Sequence, residues 1–211
     1  ANITEKFYLL EDGDFAEITK NDIKIFNSNK EPIHREETKI DATPTSTSKG
    51  NYTHFMEKEI YEQPDALGNT INGRLGENDV LDNIFGLGSS DAFKGVKRIQ
   101  FVACGTSLHA AKTARKWFED ICEIPCYIDF ASEYRYRNPI VEDYTLFVTI
   151  SQSGETADTL AALEYARAEK YVGIVTICNV PTSTMARNAD WKIFTNAGPE
   201  IGVASTKAFT T

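Results

Sequence analysis

Two short segments of the chain combine hydroxyl side chains with a glycine. They are Cys104–Ser107 and Ser151–Thr156, and each follows an apolar run typical of a strand and precedes a helical pattern. Each segment is therefore predicted to lie at a helix N-terminus, where unpaired N–H groups and the positive end of the helix dipole face outward. Added hydroxyl donors make such a place suitable for a phosphate monoester. Neither segment contains the lysine of a nucleoside triphosphate site, which argues against that class of ligand.

The same hydroxyls could instead serve only as helix caps, because serine and threonine are usual N-cap residues. One of them in each segment is expected to cap its helix in any case. Two such segments, each at a strand end, favour a phosphate ligand over capping alone. A third segment, Glu200–Lys207, follows the last strand-like run and begins another helix. It could close the pocket with backbone groups and with Ser205.

The elements that must position these segments alternate regularly after residue 97. Strand-like runs occupy residues 99–103, 126–130, 145–150, 172–177 and 191–194. The third and fourth runs are continuously apolar, which is typical of strands covered on both faces of a parallel sheet. The predicted fold class is therefore α/β, with a doubly wound parallel sheet of five strands. Its ligand site is expected outside the carboxyl ends of the strands.

The residues before this sheet predict a different organisation. Short alternating runs in residues 1–27 predict a small antiparallel β region, and the polar, Ser/Thr-rich residues 28–50 predict a linker. The α/β domain is then expected to span residues 51–211. It begins with a helix over residues 54–63, which stops before a proline, and a second helix over residues 65–74.

Details of these two helices are also predicted. The first carries its apolar side chains on an amphipathic stretch, namely Phe55, Met56, Ile60 and Tyr61. Asp65 is a possible cap of the second helix.

Composition restricts the partners of the chain. Its 211 residues contain 22 Lys and Arg against 31 Asp and Glu, a net charge of −9. This balance argues against nucleic acid and against anionic membrane surfaces, and no apolar run reaches the ~18 residues of a membrane span. The four cysteines are expected to be buried, reduced thiols and not a zinc site. A cytoplasmic protein without metal is expected.

Longer runs of residues carry a family resemblance. The segments Lys58–Pro64, Cys104–Ser107, Ala131–Arg137, Ser151–Thr159 and Glu200–Phe209 closely resemble the glutamine–fructose-6-phosphate aminotransferases (isomerizing), also called glucosamine-6-phosphate synthases. The resemblance extends over essentially the whole chain. The opening strands look like the end of that family's glutaminase domain, and the α/β part looks like the first of its two sugar-isomerase (SIS) domains.

This resemblance implies a site for fructose 6-phosphate or glucosamine 6-phosphate, with no cofactor. The implied binding residues are Thr106, Ser107, Ser151, Gln152, Ser153, Thr156, Val203 (through its backbone) and Ser205. Glu155 is interpreted as a helix-dipole or capping carboxylate and Lys207 as a structural residue. The family's nucleophilic cysteine and its acid–base residues have no counterpart here, so no catalytic residue is implied. The chain is expected to be a fragment, inactive alone, of an enzyme that forms homodimers.

Two other functions are consistent with the same patterns. A SIS domain can sense a phosphosugar without catalysis when it is joined to a DNA-binding helix-turn-helix. The acidic strands and Ser/Thr linker before the domain favour the enzyme over such a sensor. In the remaining alternative the hydroxyl segments are only caps, and measured phosphosugar binding separates it from the other two.

Overall fold

The computed structural model describes residues 6–39, 48–82 and 84–211. The chain divides into two compact units, residues 1–48 and residues 49–211. The strands of the first unit are β1 (Lys6–Tyr8), β2 (Phe15–Ile18), β3 (Ile23–Phe26), β4 (Pro32–Ile33) and β5 (Glu37–Lys39). β1 pairs with β5, and β2, β3 and β4 form a second sheet, all antiparallel. The predicted small antiparallel β region is thus present.

Two of these strands lie where the composition predicts a linker. β4 and β5 fall within residues 28–50, and residues 40–47 of that segment lie outside the described residues. Both strands are very short, and Pro32 occupies an edge strand, where the missing N–H of proline is tolerated. Because β4 contains a proline and β5 is polar, their composition resembles that of a linker.

The second unit contains the α/β sheet. Its elements are α1 (Phe55–Tyr61), α2 (Gln63–Ile71), α3 (Ser89–Phe93), β6 (Arg98–Ala103), α4 (Gly105–Cys122), β7 (Cys126–Phe130), α5 (Ala131–Tyr134), β8 (Thr145–Ser151), α6 (Ala157–Arg167), β9 (Ile174–Cys178), α7 (Thr184–Asn188), β10 (Trp191–Phe194) and α8 (Lys207–Thr210). The five strands are all parallel and lie in the order β10-β9-β8-β6-β7. The predicted α/β class and parallel five-stranded sheet are confirmed.

The core lies on both faces of this sheet. On one face Val102 and Phe147 pack with residues of α5, α6 and α7, among them Leu163. On the other face their neighbours Phe101 and Val148 pack with residues of α4. Adjacent residues of one strand are thus buried on opposite sides, which is why the central strands read as continuous apolar runs.

The first two helices of this unit differ from the prediction in detail. α1 ends at Tyr61, and α2 begins at Gln63 with Pro64 in its first turn, where the missing N–H of proline is tolerated. Glu62 occupies the N-cap position of α2, so the prediction of Asp65 as the cap was wrong. None of the helices in the described ranges is long and apolar enough to cross a membrane.

Candidate functional site

Strand order creates a crevice between β6 and β8. The chain leaves β6 for β7 on one side and then crosses back to β8, from which it continues to β9 and β10 on the other side. Adjacent connections therefore diverge at the β6–β8 boundary, and such a switch point is the usual ligand site of an open parallel sheet. The two hydroxyl segments follow these two strands.

A cavity of about 210 Å³ lies at this point. All the binding residues implied by the sequence line it, together with four other residues. The lining residues are Cys104, Thr106, Ser107, Ile150, Ser151, Gln152, Ser153, Thr156, Glu200, Gly202, Val203 and Ser205. The fold therefore brings together three segments that are up to about a hundred positions apart in the chain.

The first segment begins α4 without a side-chain cap. Cys104 is the N-cap residue, and its side chain accepts no capping hydrogen bond. The first bond of the helix is donated by the Leu108 N–H to the Cys104 carbonyl at 3.4 Å, so the N–H groups before it have no partner within the helix. Gly105 adopts a φ of +55° at this turn. In the described part of the chain the Ser107 hydroxyl makes no hydrogen bond, which leaves it available to a ligand.

The second segment is held in shape by its own hydroxyls. The Gly154 N–H donates to the buried Ser151 Oγ at 3.0 Å, and Ser151 Oγ lies 3.2 Å from Thr156 Oγ1. The Glu155 N–H donates to Ser153 Oγ at 3.2 Å. Thr156 is the N-cap residue of α6, but its side chain makes no capping bond. The expectation of one hydroxyl cap in each segment is therefore wrong, because these side chains bond within the turn or remain free.

Gly154 is required by two features of this turn. Its φ is +66°, in the left-handed region that other residues avoid. A Cβ atom at this position would also overlap the hydroxyl of Ser183 and lie 2.5 Å from its Cβ. Ser183 is itself fixed, because its Oγ accepts the Ala186 N–H at 3.3 Å and caps α7.

Glu155 faces away from the cavity. Its carboxylate accepts the N–H of Thr184, the first residue of α7, at 2.7 Å. Glu155 precedes the N-cap residue of α6, so the interpretation of it as a dipole or capping carboxylate of that helix was wrong; its carboxylate caps α7 instead. A contact between residues 29 positions apart could not be inferred from the local pattern.

The third segment forms the opposite wall of the cavity, and residues 200–206 are called the wall segment below. The Glu200 carboxylate accepts the Ser205 hydroxyl and the Thr206 N–H, both at 2.7 Å. Val203 lines the cavity and is fully exposed. Among the described residues that line the cavity, Glu200 is the only charged one. The two helix N-termini thus face an acidic wall.

Lys207 lies behind the wall segment in an ion pair. Its ammonium is 2.7 Å from Glu62 Oε2, and its side chain is only 4% exposed. Burial opposes ionisation of Glu62, but the hydrogen bond and charge of Lys207, together with Lys58, hold the pKa of that carboxyl below its usual range. Lys207 does not line the cavity, which agrees with its structural interpretation.

Two residues that the sequence did not single out position the wall segment and the residues before it. Glu59 of α1 is 2% exposed and accepts the N–H groups of Ile201 and Gly202. Asn179 follows β9, accepts the Ala197 N–H at 2.8 Å and donates to the Gly198 carbonyl at 2.7 Å. The sequence signals for Glu59 are its place in the resemblance-bearing run Lys58–Pro64 and its position four residues after Phe55, on one side of the helix. Asn179 has the weaker signal of a polar residue at a strand end.

The Ala131–Arg137 segment has a structural role in this unit. Tyr134 is fully buried in the core, and Arg135 pairs with Asp158 of α6 at 3.0 Å. Neither residue lines the cavity. This resemblance-bearing segment therefore supports the helix that carries the second hydroxyl segment.

The cysteines differ partly from expectation. Cys126 and Cys178 are buried, and burial raises the pKa of Cys126 to about 11. Cys104 is only half-buried, and Cys122 is exposed at the end of α4, so the expectation of burial is wrong for these two residues. In the ranges that the structure describes, no three His, Cys, Asp or Glu side chains converge to hold a metal ion.

Comparison with known proteins gives matches of two kinds. Over 210 residues the chain is 50% identical to a glutamine–fructose-6-phosphate aminotransferase (isomerizing) of Vibrio parahaemolyticus, and over 209 residues it is 51% identical to the enzyme of that name from Idiomarina loihiensis. The matches cover 100% and 99% of this chain but only 34% of each relative, so the chain spans about a third of their length.

A solved structure and a family model agree with these matches. The C-terminal domain of glucosamine-fructose-6-phosphate aminotransferase from Francisella tularensis superposes with a TM-score of 0.75 at 50% identity, covering 77% of this chain and 46% of that one. The model of the SIS domain matches residues 92–211, which is more than half of the chain and includes every lining residue of the cavity. The chain therefore belongs to the SIS domain family.

Proposed function

We propose that this chain binds the phosphate of fructose 6-phosphate or glucosamine 6-phosphate in the cavity between β6 and β8. The observation that carries the proposal is the convergence of two uncapped helix N-termini and several hydroxyls on one cavity. Helix N-termini with free N–H groups bind anions, and hydroxyl donors add hydrogen bonds to phosphate oxygens. Capping alone would leave the first N–H groups of α4 and α6 bonded to hydroxyl side chains, and the N-cap side chains Cys104 and Thr156 make no such bond.

The distribution of charge orients the ligand. The phosphoryl group is repelled by the Glu200 carboxylate and attracted to the first turns of α4 and α6. The uncharged hydroxyls of the sugar then face the wall segment, where they meet backbone groups and Ser205. In this arrangement the hydroxyl segments bind phosphate through Thr106, Ser107, Ser151, Gln152, Ser153 and Thr156, while Val203 and Ser205 contact the sugar.

The wider role follows from the relatives. A protein named glutamine–fructose-6-phosphate aminotransferase (isomerizing) takes an amino group from glutamine and produces an aminated sugar phosphate, and we propose that this chain supplies the phosphosugar-binding part of such an activity. Residues 1–27 then correspond to the end of a glutaminase-type domain and residues 51–211 to a first SIS domain. The active assembly is proposed to be a homodimer.

Isothermal calorimetry with the full chain and fructose 6-phosphate tests the binding proposal. Ser107→Ala removes a hydroxyl that makes no hydrogen bond within the described chain, so its effect reports on the ligand. A hydrogen bond to a charged acceptor contributes about 1.5–3 kcal/mol, so affinity should fall roughly 10- to 150-fold. The melting temperature should not change.

Ser132→Ala is the matched control for this experiment. Ser132 lies in α5, directly after the neighbouring strand β7, but does not line the cavity. Its removal should leave the affinity unchanged. Equal affinity of the Ser107→Ala variant and the wild type would show that the phosphate is bound elsewhere.

A further inference from the structure

The wall segment and the residues around it are bonded to α1, to α2 and to Glu62 between them. Glu59 of α1 accepts the Ile201 and Gly202 N–H groups, and Glu62 pairs with Lys207 just after the wall segment. Farther along α2, the Thr70 hydroxyl donates to the carbonyl of Thr195. The wall is therefore positioned from outside the sheet, whereas the two helix N-termini are positioned by β6 and β8.

Glu59 makes the most direct of these contacts with the wall segment. Its carboxylate is 2% exposed, and Oε1 lies 2.5 Å from the Ile201 nitrogen and 3.0 Å from the Gly202 nitrogen. Oε2 lies 3.2 Å from the same Gly202 nitrogen. A buried carboxylate that accepts these bonds fixes the direction of two successive peptide groups, because leaving its oxygens unpaired would be unfavourable.

The lack of a side chain at Gly202 leaves room for this carboxylate. A Cβ atom at Gly202 would lie 2.5 Å from Glu59 Oε2, closer than real contacts allow. Because Gly202 also lines the cavity, the contact joins Glu59, which does not line it, to a residue that does. The same contact can therefore be disturbed from either partner.

We propose that Glu59 is a positioning residue that sets the wall segment for recognition of the sugar part of the ligand. The inference rests on the proposed function. The phosphate would be bound by helix N-termini that Glu59 does not contact. The sugar hydroxyls would be bound by the wall segment, in which Glu59 holds the Ile201 and Gly202 peptide groups directly before Val203. Loss of Glu59 therefore weakens binding of a phosphosugar and leaves binding of inorganic phosphate unchanged.

The test compares two ligands in the full chain. Fructose 6-phosphate affinity is measured by calorimetry, and inorganic phosphate affinity by the chemical-shift changes of the Ser153 and Gly154 amides. Glu59→Ala should weaken the sugar phosphate about tenfold or more, and Glu59→Gln, which keeps one neutral acceptor, about threefold. Gly202→Ala should weaken it to a similar extent. Phosphate affinity should not change in any of these variants.

A double variant tests whether both changes act through one contact. Combining Glu59→Ala with Gly202→Ala should weaken sugar-phosphate binding no more than the stronger single change, because the contact is already lost. Glu57→Ala, an exposed glutamate on the same helix, is the matched control and should bind like the wild type. If Glu59→Ala does not fold, Glu59→Gln and Gly202→Ala still measure the contact.

Several outcomes would overturn this inference. Unchanged sugar-phosphate binding in the Glu59 and Gly202 variants, with a wild type that binds, rejects the positioning role and leaves the proposed function intact. Equal loss of both ligands, or an equal loss in Glu57→Ala, indicates a general effect on the fold and also rejects it. A wild type that binds phosphate but not fructose 6-phosphate refutes the proposed function and the inference together.

Discussion

Replacement of Gly154 by alanine should strongly destabilise the second unit. The residue holds a φ of +66° in the turn between β8 and α6, and its missing side chain leaves space that Ser183 occupies. Ser183 cannot turn aside freely, because its hydroxyl caps α7. Alanine therefore imposes both an unfavourable backbone conformation and a steric overlap.

The size of the effect follows from these two terms. A left-handed conformation disfavours a residue with a Cβ by roughly 1–2 kcal/mol. Overpacking against a fixed neighbour costs about 1–3 kcal/mol. Together they predict a loss of roughly 2–5 kcal/mol in the free energy of unfolding, which is a large part of the stability of an ordinary domain.

Urea denaturation of the full chain measures this loss, and two other glycines separate its terms. Gly105 has a φ of +55°, but an added Cβ would meet no atom within 4 Å, so Gly105→Ala should show only the backbone term of about 1–2 kcal/mol. Gly68 lies inside α2, and an added Cβ there would also meet no atom within 4 Å. Gly68→Ala should raise the stability by about 0.5–1 kcal/mol.

The order of these three variants is the decisive result. The reasoning requires Gly154→Ala to be the least stable, Gly105→Ala to be intermediate and Gly68→Ala to exceed the wild type. If Gly154→Ala unfolds within about 0.5 kcal/mol of the wild type, neither the strain nor the overlap is real. If it equals Gly105→Ala, Ser183 yields without cost and the steric term is refuted.

Three further changes have separate expected outcomes. Glu155→Ala should lower the free energy of unfolding by about 1 kcal/mol, since its carboxylate caps α7, and calorimetry should show no weaker binding of fructose 6-phosphate. Glu62→Gln should lower the free energy of unfolding by roughly 2–4 kcal/mol at neutral pH, because the Lys207 ammonium is left buried without its carboxylate partner. The pKa of Glu62 is lower in the folded state than its ordinary value of 4.5, so this stabilisation is present above that value and is lost as the pH falls through the folded pKa. Urea denaturation should therefore give the wild type and Glu62→Gln the same free energy of unfolding in acid. Ser151→Ala should reduce stability by about 1–2 kcal/mol as well as affinity, whereas Ser107→Ala reduces affinity alone.

Local patterns were sufficient to predict the sheet and the convergence of the hydroxyl segments on one cavity at its strand ends. The runs that became β8 and β9 are mostly apolar and buried, and both strands lie inside the sheet with a neighbour on each side. Parallel strands end at one edge, so the hydroxyl segments that follow β6 and β8 had to come close together. Such inferences need only the sequence of each element and the direction of its connections.

Contacts between distant side chains could not be predicted in the same way. The helix α1 was expected to bury its apolar residues, yet Met56, Ile60 and Tyr61 are 44%, 45% and 67% exposed, while Glu59 is buried. A charged residue is stable there only because the backbone of Ile201 supplies donors. Nothing within the helix indicates those donors, so hydrophobic periodicity selects the wrong face.

The contact between Glu59 and Ile201 joins residues 142 positions apart. Closing so long a loop requires most of the intervening chain to be ordered first, because the entropy of closure is repaid only by contacts that already exist. We therefore expect the sheet and its helix N-termini to assemble before the contact between Glu59 and Ile201 forms. In hydrogen exchange, the amides of Ile201 and Gly202 should become labelled through partial openings that leave the strand amides of β6 and β8 protected.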